Sequence, residues 1–597
     1  MNLTRLNILT TAAGLALICT NSAFAQTTPT PEGGLSFDTG ISNRNYPSSD
    51  WALINGKIYT VDKDNPWATA IAVEGNRITY VGDAQGLKDQ IGIATRVVDL
   101  DGKMVLPGFV EGHFHVVAGG IVAQGVDLQT DDKDEVFEKL RQYIADNPDL
   151  EVIEGYGVRL STFKDGLPTK EMFDEIESER PIYLWTVDGH SAFVNSKAFE
   201  IAGVDKDTPE TVPGYSFFDR DAEGNPTGFI VEVPAQLQVL SALRSFNADT
   251  VLEGVKEWLP KFSAAGITTV FDYGVQGVTN EEAFDWLQER EKEGALPVRL
   301  QGSYYWNDPE LDPIPPLLSL KEKYNSELVK VDTLKINLDG GDEKWNALFT
   351  EPYADNPDVK VEPIIPYDVL YKVVADANAQ GLNITCHCFG DLAVRKLLDA
   401  SEAATKGNPS GESHHAVSHA VMVHPDDIPR FGELGVTYDT TGFWMSFDPL
   451  LQSITTDRLG ADRVQAMLPM KQIAEAGGNI SLGSDWPASG YLSEYRPLLS
   501  IRTAVTRQLP GRDDIPPLGS EEARIPLDMA IYAQTLGAAA GRGLNDKIGS
   551  LQAGKMADMV VLDQNLFEID PHDIDETQIL LTIMNGEVTY DHLGVTQ

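Results

Sequence analysis

Two histidines separated by a single residue follow an apolar run in the first quarter of the chain. The run begins at Met104-Val105-Leu106-Pro107 and leads to His113-Phe114-His115. Because the side chains of a strand alternate between its two faces, both imidazoles lie on the same side. Neutral imidazole nitrogen is a favoured ligand of zinc and related cations. The spacing predicts a shared divalent cation; the alternative is a pair of surface or hydrogen-bonded histidines.

Four further ionisable residues lie within or at the end of runs that are otherwise apolar. They are Lys335, His387, His419 and Asp485, and each belongs to a different run. An ionisable group in a buried strand is costly unless it is paired or bound to a metal. A single site to which all of them contribute explains the four residues with one cause. We therefore expect them to converge with the histidine pair.

The elements that must position these residues are short apolar runs that alternate with helical stretches. This alternation is typical of a parallel α/β core. With the opening strand the runs number eight, which is the number that closes a (β/α)8 TIM barrel. Periodicity alone also allows an open, doubly wound sheet. The predicted strands after the opening one are Ile267–Phe271, Val298–Gly302, Leu334–Leu338, Ile384–Cys388, Ala416–Ala420, Val436–Asp439 and Ile480–Asp485.

The two ends of the chain predict one small β-sandwich. Turn-punctuated strand patterns begin at Trp51 and recur between Met556 and Tyr590. Strands from both termini can pair while the middle of the chain is inserted between them. The predicted bounds are 50–104 and 546–597 for the two parts of the sandwich and 105–545 for the barrel.

Residues from about 117 to 259 do not follow the alternation of strands and helices that is expected of the barrel. They hold strand patterns of their own at Val152–Tyr156 and Ile182–Thr186, and a turn-rich part at 214–228. We expect an inserted α+β domain between the first and second barrel strands. An insertion at this point lies at the catalytic face of a barrel and can cover its pocket.

Composition and charge limit the classes of partner. The chain has 597 residues, of which 42% are hydrophobic and 23% charged, as in an ordinary globular protein. Its formal net charge of −44 argues against nucleic-acid and anionic-membrane partners, which attract basic surfaces. The expected partner is a small-molecule substrate. The oligomeric state stays open, with a homodimer as one form.

The first 25 residues have the pattern of a cleavable secretory signal peptide. A weakly positive start is followed by an apolar segment, Ile8 to Cys19, and by Ala23-Phe24-Ala25. A retained membrane anchor is the alternative, although the segment is shorter than the roughly 20 apolar residues of a spanning helix. We expect a secreted or periplasmic protein that begins at Gln26, with 26–49 as a flexible linker.

Two cysteines remain beyond the signal segment. Cys386 and Cys388 flank His387, and residues two apart on a strand have the wrong geometry for a disulfide. We expect free, buried thiols that act as small hydrophobic side chains.

Taken in order, the motifs resemble those of the amidohydrolase superfamily, in its YtcJ-like branch (amidohydrolase family 3), which includes N-substituted formamide deformylase-like proteins. The resemblance covers about Ala52 to Tyr590. Its motifs are Leu106-Pro107-Gly108-Phe109 with His113-Phe114-His115, Asp188-Gly189-His190-Ser191, Lys335-Ile336-Asn337-Leu338-Asp339-Gly340, His387-Cys388-Phe389-Gly390-Asp391, His419, Gly483-Ser484-Asp485-Trp486-Pro487 and the segment from Ile548 to Asp558.

The resemblance implies a centre of one or two divalent ions, with zinc as the expected metal. It makes His113 and His115 ligands of a first, more buried ion, which Asp485 also touches. It makes His387 and His419 ligands of a second ion.

Lys335 has two interpretations. By the resemblance, Lys335 is N6-carboxylated and its carbamate bridges the two ions. The alternative is a structural ion pair with Asp339 or Asp342, and it favours a mononuclear site.

The activity implied by this ligand set is metal-assisted hydrolysis of a non-peptide carbon–nitrogen bond, in an amide or an N-substituted formamide. Asp485 is the expected general acid and base, which takes a proton from water and returns it to the leaving nitrogen. Two alternatives remain. One is a metal-dependent hydrolase of esters, lactones or carbamates, and the other is a barrel that has lost catalysis and serves regulation or binding.

Further candidates belong to the expected pocket. His190 is predicted to donate a hydrogen bond to the substrate carbonyl, or otherwise to stabilise a turn of the insertion. Glu232 matches an acidic position of the family and either orients the pocket or binds a backbone donor. Trp444 and Trp486 are predicted to contact the substrate, with plain packing as the alternative. The remaining histidines, which we interpret as structural or solvated, are His414, His415, His424, His572 and His592.

One loop departs from the family pattern. After Asp339-Gly340 the chain continues as Gly341-Asp342-Glu343-Lys344-Trp345-Asn346, where many members carry small residues and an arginine. The loop borders the expected pocket, so transfer of substrate specificity from any relative is unsafe.

Overall fold

The computed structural model describes residues 49–595 except 164–165, 188, 190, 212–215, 245–247, 343–344, 410, 450, 491–493 and 513. The expected signal peptide and nearly all of the linker lie outside these residues and stay predictions. Across the described ranges, every helix is too short or too polar to cross a membrane.

Eight parallel strands form the central sheet, and each pairs with its neighbours in chain order. The first and last strands meet where the backbone N–H of Asp485 donates to the carbonyl of His113 at 2.9 Å and that of His115 donates to Trp486 at 2.9 Å. The predicted TIM barrel is confirmed. Its strands are Phe109–Phe114, Ile267–Asp272, Arg299–Trp306, Val329–Asn337, Asn383–Cys388, His415–His419, Thr437–Thr441 and Ile480–Gly483.

The opening apolar run and the residues that follow it form strands of two different sheets. Met104–Pro107 pairs in parallel with Lys57–Tyr59 and antiparallel with Met559–Leu562, outside the barrel. Only the part after Gly108, Phe109–Phe114, joins the barrel. A Cβ atom at position 108 would lie 2.3 Å from a side-chain carbon of a neighbouring strand, so only glycine fits the junction. The run therefore connects the barrel directly to the strands of the chain ends.

Helices cover the outside of the barrel, and one of them has a complete capping box. Asn280–Lys292 begins at Thr279, which forms a capping box with Glu282, and has Arg290 and Lys292 in its last turn. The longer helices outside the insertion are Val116–Val122, Ala248–Ala264, Asn280–Lys292, Ile314–Lys323, Tyr367–Ala379, Asp391–Gly407, Ile428–Leu434, Met470–Glu475, Pro497–Thr506 and Leu527–Tyr532. Short helical segments are Ala84–Leu87, Pro425–Asp427, Gly442–Met445, Leu451–Thr455, Thr456–Leu459, Ala461–Gln465, Glu521–Ala523, Ala533–Gly537, Ala538–Ala540 and Pro571–Glu576.

Strands from both chain ends share one sheet, which packs on a second sheet from the N-terminal part. Leu53, Ile58, Val105 and Met559 lie in their common apolar core. The shared sheet has the order Glu587–Asp591, Ile579–Met584, Met559–Leu562, Met104–Pro107, Lys57–Tyr59 and Trp67–Ala68, and the other has the order Arg77–Gly82, Ala70–Glu74, Trp51–Ile54 and Arg96–Asp99.

A separate six-stranded sheet lies between the first and second barrel strands in the sequence. It occupies Val126 to Val231, within the range predicted for an insertion. Its strand order is Phe217–Arg220, Pro226–Val231, Ser191–Val194, Ile182–Thr186, Ile153–Val158 and Val126–Asp127. Its helices are Lys133–Asp146, Leu160–Thr162, Lys170–Asp174, Ser196–Ala202 and Val233–Leu243.

Candidate metal centre and active site

Asp485 faces the two histidines of the opening strand. Its Oδ1 lies 3.2 Å from Nε2 of His113 and 3.2 Å from Nε2 of His115. His113 is near the end of the first strand, and Asp485 follows the eighth, so barrel closure brings them together. The ligand atoms of these three residues all lie within 4.8 Å of one another.

The other two predicted histidines adjoin this group. His419 Nδ1 lies 3.8 Å from Asp485 Oδ2, and its ring centroid is 4.7 Å from that of His113. The His387 ring is 4.2 Å from the His419 ring. The strands that carry His387 and His419 are adjacent in the barrel. The sequence-predicted histidines thus form one cluster at the C-terminal ends of the strands.

Several ring nitrogens of this cluster are buried without a hydrogen-bond partner in the described part of the chain. They are Nδ1 and Nε2 of His113, Nδ1 of His115, Nε2 of His387 and Nδ1 of His419. The large majority of buried side-chain polar atoms in proteins have a hydrogen-bond partner, so a concentration of unbonded nitrogens calls for an explanation. Nitrogen and carboxylate donors that face one point are the ligand set of zinc and similar ions. The residues present therefore fit a divalent cation.

The histidines are held in the neutral form that binds metal. Burial, followed by the charge of Lys335, lowers the pKa of His387 to about 3. Burial also lowers the pKa values of His113 and His419 well below the usual value. An imidazole must be unprotonated at the nitrogen that ligates a cation. At neutral pH these rings are ready to bind one without first losing a proton.

Lys335 lies within the same buried region. Its side chain is 3% exposed, and Nζ lies 5.0 Å from the ring centroid of Tyr273. Burial lowers the pKa of Lys335 to about 8, although the charge of Asp485 opposes this shift. Among the described residues, no carboxylate forms an ion pair with Lys335.

Among the described residues, the alternative ion pair of Lys335 with Asp339 or Asp342 is not seen. Asp339 instead accepts hydrogen bonds from the backbone N–H groups of Leu348, Phe389 and Gly390 at 2.9–3.0 Å. These bonds fix the loop beside the fifth strand and leave the lysine amine without a carboxylate partner in the described structure.

Two site residues have left-handed backbone conformations. The φ angle is +71° at His419 and +58° at Asp485. Such conformations cost a non-glycine residue about 1–3 kcal/mol and persist where the surroundings impose them. At Asp485 the surroundings include the hydrogen bond from its own N–H to the carbonyl of His113. The chain accepts backbone strain at the residues that direct their side chains into the cluster.

Asp439 and Tyr273 complete the floor of the cluster, and neither is among the residues predicted from the sequence. Asp439 Oδ2 lies 3.6 Å from Nδ1 of His113 and accepts a hydrogen bond from the Tyr273 hydroxyl at 3.3 Å. Arg542 donates to the same hydroxyl. The Tyr273 ring packs on that of His113 with centroids 4.1 Å apart. A carboxylate at the second nitrogen of a ligating histidine orients its ring.

Glu111, also missed, supports the strand end of Asp485 from below. Its carboxylate accepts from the backbone N–H of Ser484 at 2.7 Å and from the Gln534 amide at 2.9 Å. Burial raises the pKa of Glu111 to about 8. Asp272 has a similar role, since it accepts from the backbone N–H of Val116, just after His115, at 2.8 Å. Both acids interrupt apolar runs, and that signal could have revealed them.

The predicted substrate residues have different surroundings. Trp444 stacks on His419 with centroids 4.9 Å apart and an angle of 16°, and its indole N–H donates to the carbonyl of Ser489. Trp486 is completely buried and packs on Phe114 and Trp258. This packing agrees with the alternative of plain packing, and its predicted substrate contact stays a prediction.

Glu232 is buried at the end of the last strand of the insertion, with a φ angle of +63°. His190 lies outside the described residues, so its role stays a prediction.

The remaining histidines lie away from the C-terminal strand ends that carry the cluster. His414 and His415 are at the start of the sixth strand, opposite His419. His424 accepts from the N–H of Asp426, His572 contacts Asp570, and His592 is exposed. Cys386 and Cys388 are free and buried, as predicted.

Comparison with known proteins decides the family. The model of the amidohydrolase family matches residues 96–590, which is most of the chain. The chain belongs to the amidohydrolase family. The match spans every barrel strand and includes the four histidines and Asp485 of the cluster. The amidohydrolase resemblance of the motifs is therefore confirmed.

Two relatives cover almost the same length as this amidohydrolase. Protein LONG AFTER FAR-RED 3 of Arabidopsis thaliana is 29% identical over 550 residues, with 91% of this chain and 92% of the relative covered. N-substituted formamide deformylase of Arthrobacter pascens is 25% identical over 561 residues, with coverages of 91% and 99%.

A solved structure shares the fold. The crystal structure of an uncharacterized metal-dependent hydrolase from Pyrococcus horikoshii OT3 superposes with a TM-score of 0.68 at 22% identity, covering 87% of this chain and 99% of that chain. The family, the fold and the cluster of His113, His115 and Asp485 make this amidohydrolase a metal-dependent hydrolase with a defined candidate metal site.

Proposed function

We propose that the chain hydrolyses a non-peptide carbon–nitrogen bond of a small molecule, an amide or an N-substituted formamide. The supporting observation is the position of Asp485, whose single carboxylate faces His113 and His115 at 3.2 Å each. This is the arrangement of a carboxylate that shares a cation with two imidazoles and can also exchange a proton with a reactant. The deformylase of Arthrobacter pascens supports the choice of bond.

The residues that would hold the metal divide into two groups. His113, His115 and Asp485 form the first, and His387 and His419 form the second. We propose zinc, because nitrogen and oxygen donors suit it. When bound, the cation supplies Lewis acidity, which makes water acidic near neutral pH and polarises a carbonyl oxygen.

Asp485 carries the proton through the reaction. As water attacks the carbonyl carbon, a carbon–oxygen bond forms and the Asp485 carboxylate accepts the proton that water loses. The protonated carboxyl then donates to the leaving nitrogen as the carbon–nitrogen bond breaks. The products are an amine and a carboxylic acid, or formic acid from a formamide. His190 stays the proposed donor to the substrate carbonyl.

Lys335 is proposed to be carboxylated on Nζ. The neutral amine attacks carbon dioxide, forms a carbon–nitrogen bond and releases a proton, which leaves an anionic carbamate with two oxygen donors. The lowered pKa of Lys335 and its freedom from a carboxylate partner in the described structure both support this step. The carbamate would replace the positive charge of the lysine side chain by a negative charge. Its two oxygen atoms would be able to serve as ligands alongside both groups of residues.

We also propose that the protein acts outside the cytoplasm. The support is the signal-peptide pattern of residues 1–25. Mass spectrometry of the native protein is expected to give a chain that begins at Gln26, and a full-length chain retained in the cytoplasm would refute export.

A substrate panel tests the proposed reaction. The purified chain, loaded with zinc, is assayed against matched N-substituted formamides, amides and esters, with Asp485→Asn as the inactive control. Formation of amine from formamides or amides, lost in the control, supports the proposal. Faster hydrolysis of the esters alone would favour an esterase. Failure to bind metal together with no turnover would favour a binding barrel.

A further inference from the structure

A cavity lies at the opposite end of the barrel from the histidine cluster. It has a volume of about 150 Å³. Arg299 and Lys330 line it from the N-terminal ends of the third and fourth barrel strands. Arg77 lines it from the β-sandwich, and Lys547 from the segment that leads back to the sandwich. The cavity therefore lies where the barrel and both chain ends meet.

The charge of this cavity is opposite to that of the whole chain. The sequence has 46 basic against 90 acidic residues, yet four cations and one acid, Glu327, line the cavity. The acid is already engaged, because its Oε1 accepts from the amides of Asn76 and Asn585 at 2.7 and 3.0 Å. A cluster of cations on so acidic a protein indicates a local requirement for positive charge.

The two lysines lack acidic partners. Within the described part of the chain, neither Lys330 nor Lys547 forms an ion pair, and Arg77 donates to a backbone carbonyl, that of Gly554, at 3.1 Å. Burial, and then the charges of Lys547 and Arg299, lower the pKa of Lys330, although the charges of Asp332 and Glu327 oppose this shift. The cations thus repel one another in a partly buried space, and an anion between them would remove this repulsion.

Arg299 provides an independent observation. Its side chain is 3% exposed and is anchored by Asp558 at 2.6 Å and by Thr269 at 3.0 Å. Its Nε is nevertheless buried without a hydrogen-bond partner among the residues that the structure describes. A buried guanidinium N–H is seldom left unbonded, and the fixed fork of arginine suits oxyanions.

The rest of the wall sets the chemical class of the ligand. Leu544, Ile548 and Met556 give the cavity an apolar side. We propose that this cavity binds a small oxyanion, a phosphate or the carboxylate of a small organic acid, between Lys330, Lys547 and Arg299. The site is separate from the hydrolytic centre and does not depend on the reaction proposed for it. Its occupant would join the barrel to the sandwich and stabilise the folded chain.

Calorimetric titration of the full chain tests the site. The probes are inorganic phosphate and butanedioate, added at constant ionic strength. Each is titrated into the protein as purified and after treatment with a chelator, because an anion could otherwise bind to metal at the hydrolytic centre. The variants are Lys330→Gln, Lys547→Gln and the double variant. The matched control, Lys396→Gln with Lys406→Gln, removes two lysines from a helix on the outside of the barrel.

Saturable binding of at least one probe, at about one anion per chain and unaffected by the chelator, is the expected result. The double variant should weaken it at least tenfold, each single variant should weaken it in part, and the control should leave it unchanged. The preferred probe identifies the anion class. The proposal is overturned if neither probe saturates, if the control weakens binding as much as the double variant, or if binding disappears with the metal.

Discussion

Nδ1 of His113 lies 3.6 Å from Oδ2 of Asp439, and both side chains are 1% exposed. The opposite nitrogen of the same ring, Nε2, lies 3.2 Å from Asp485. The imidazole thus lies between two carboxylates. Asp485 is on the side of the candidate metal site, and Asp439 is on the opposite side of the ring. Since the Tyr273 hydroxyl donates to Asp439 in turn, the orientation of a metal ligand depends on residues at the floor of the cluster that are not themselves predicted ligands.

Asp439→Asn is expected to weaken metal binding. The amide cannot stabilise the His113 ring as a carboxylate does, and loss of such a partner typically costs about 10–100-fold in metal affinity. Competition with a chromogenic chelator measures the affinity directly. Asp376→Asn, on the outer side of a helix of the barrel, serves as the control. An unchanged zinc affinity in Asp439→Asn would show that the carboxylate does not act on His113.

Asp485→Asn is expected to lower kcat by about 10²- to 10⁴-fold, the usual contribution of a general acid–base group. Most of the metal should remain, because both histidines of the first group are unchanged. Metal analysis and steady-state assays of the same preparation separate the two effects. Retained activity would refute the assigned role of Asp485.

Lys335→Met is expected to reduce the metal content from two ions per chain to one. The thioether has nearly the length of the lysine side chain but cannot form a carbamate. In the unsubstituted protein, carbon-13 bicarbonate should produce a carbamate NMR signal that the variant lacks. Lys321→Met, outside the barrel, is the control. If the variant keeps both ions and no carbamate signal appears, Lys335 is not carboxylated.

His415 predicts a loss of stability in mild acid. Burial, followed by the charges of His414 and Arg542, lowers its pKa from 6.5 to about 4. Between these values the unfolded chain binds more protons than the folded chain, so stability falls as the pH falls. The shift corresponds to about 2 kcal/mol between pH 7 and pH 5.

The variant His415→Gln should therefore lose fewer degrees of melting temperature than the unsubstituted protein between pH 7 and pH 5. His592→Gln, at an exposed position, should behave as the unsubstituted protein does. Equal losses in all three proteins would show that His415 does not titrate in the way its burial indicates.

The barrel and its cluster could be predicted because strand ends leave a clear signal. Lys335, His387 and His419 each interrupt an apolar run, and parallel strands bring such positions to the same edge. The same signal was present at Asp439, which ends the predicted run from Val436, but no motif drew attention to it. Its role emerges only from its distance to His113, which depends on how the barrel closes.

Other features depend on contacts between distant residues, which cannot be predicted from a sequence pattern. The division of the opening run at Gly108 follows from the close approach of Thr268, a residue far along the chain. Trp486 is predicted to line the pocket as an aromatic residue near the barrel mouth, yet its ring packs in the core. The cationic cavity joins Arg77 to Lys547, and only the pairing of the chain ends brings these residues together.

The most direct test of the metal-dependent reaction is to measure metal content and hydrolysis of N-substituted formamides and amides in one preparation, before chelation, after chelation and after zinc is restored. The account predicts one or two ions per chain at the start, loss of amine release when they are removed, and recovery in proportion to the zinc that returns. Full activity in the metal-free protein would contradict it.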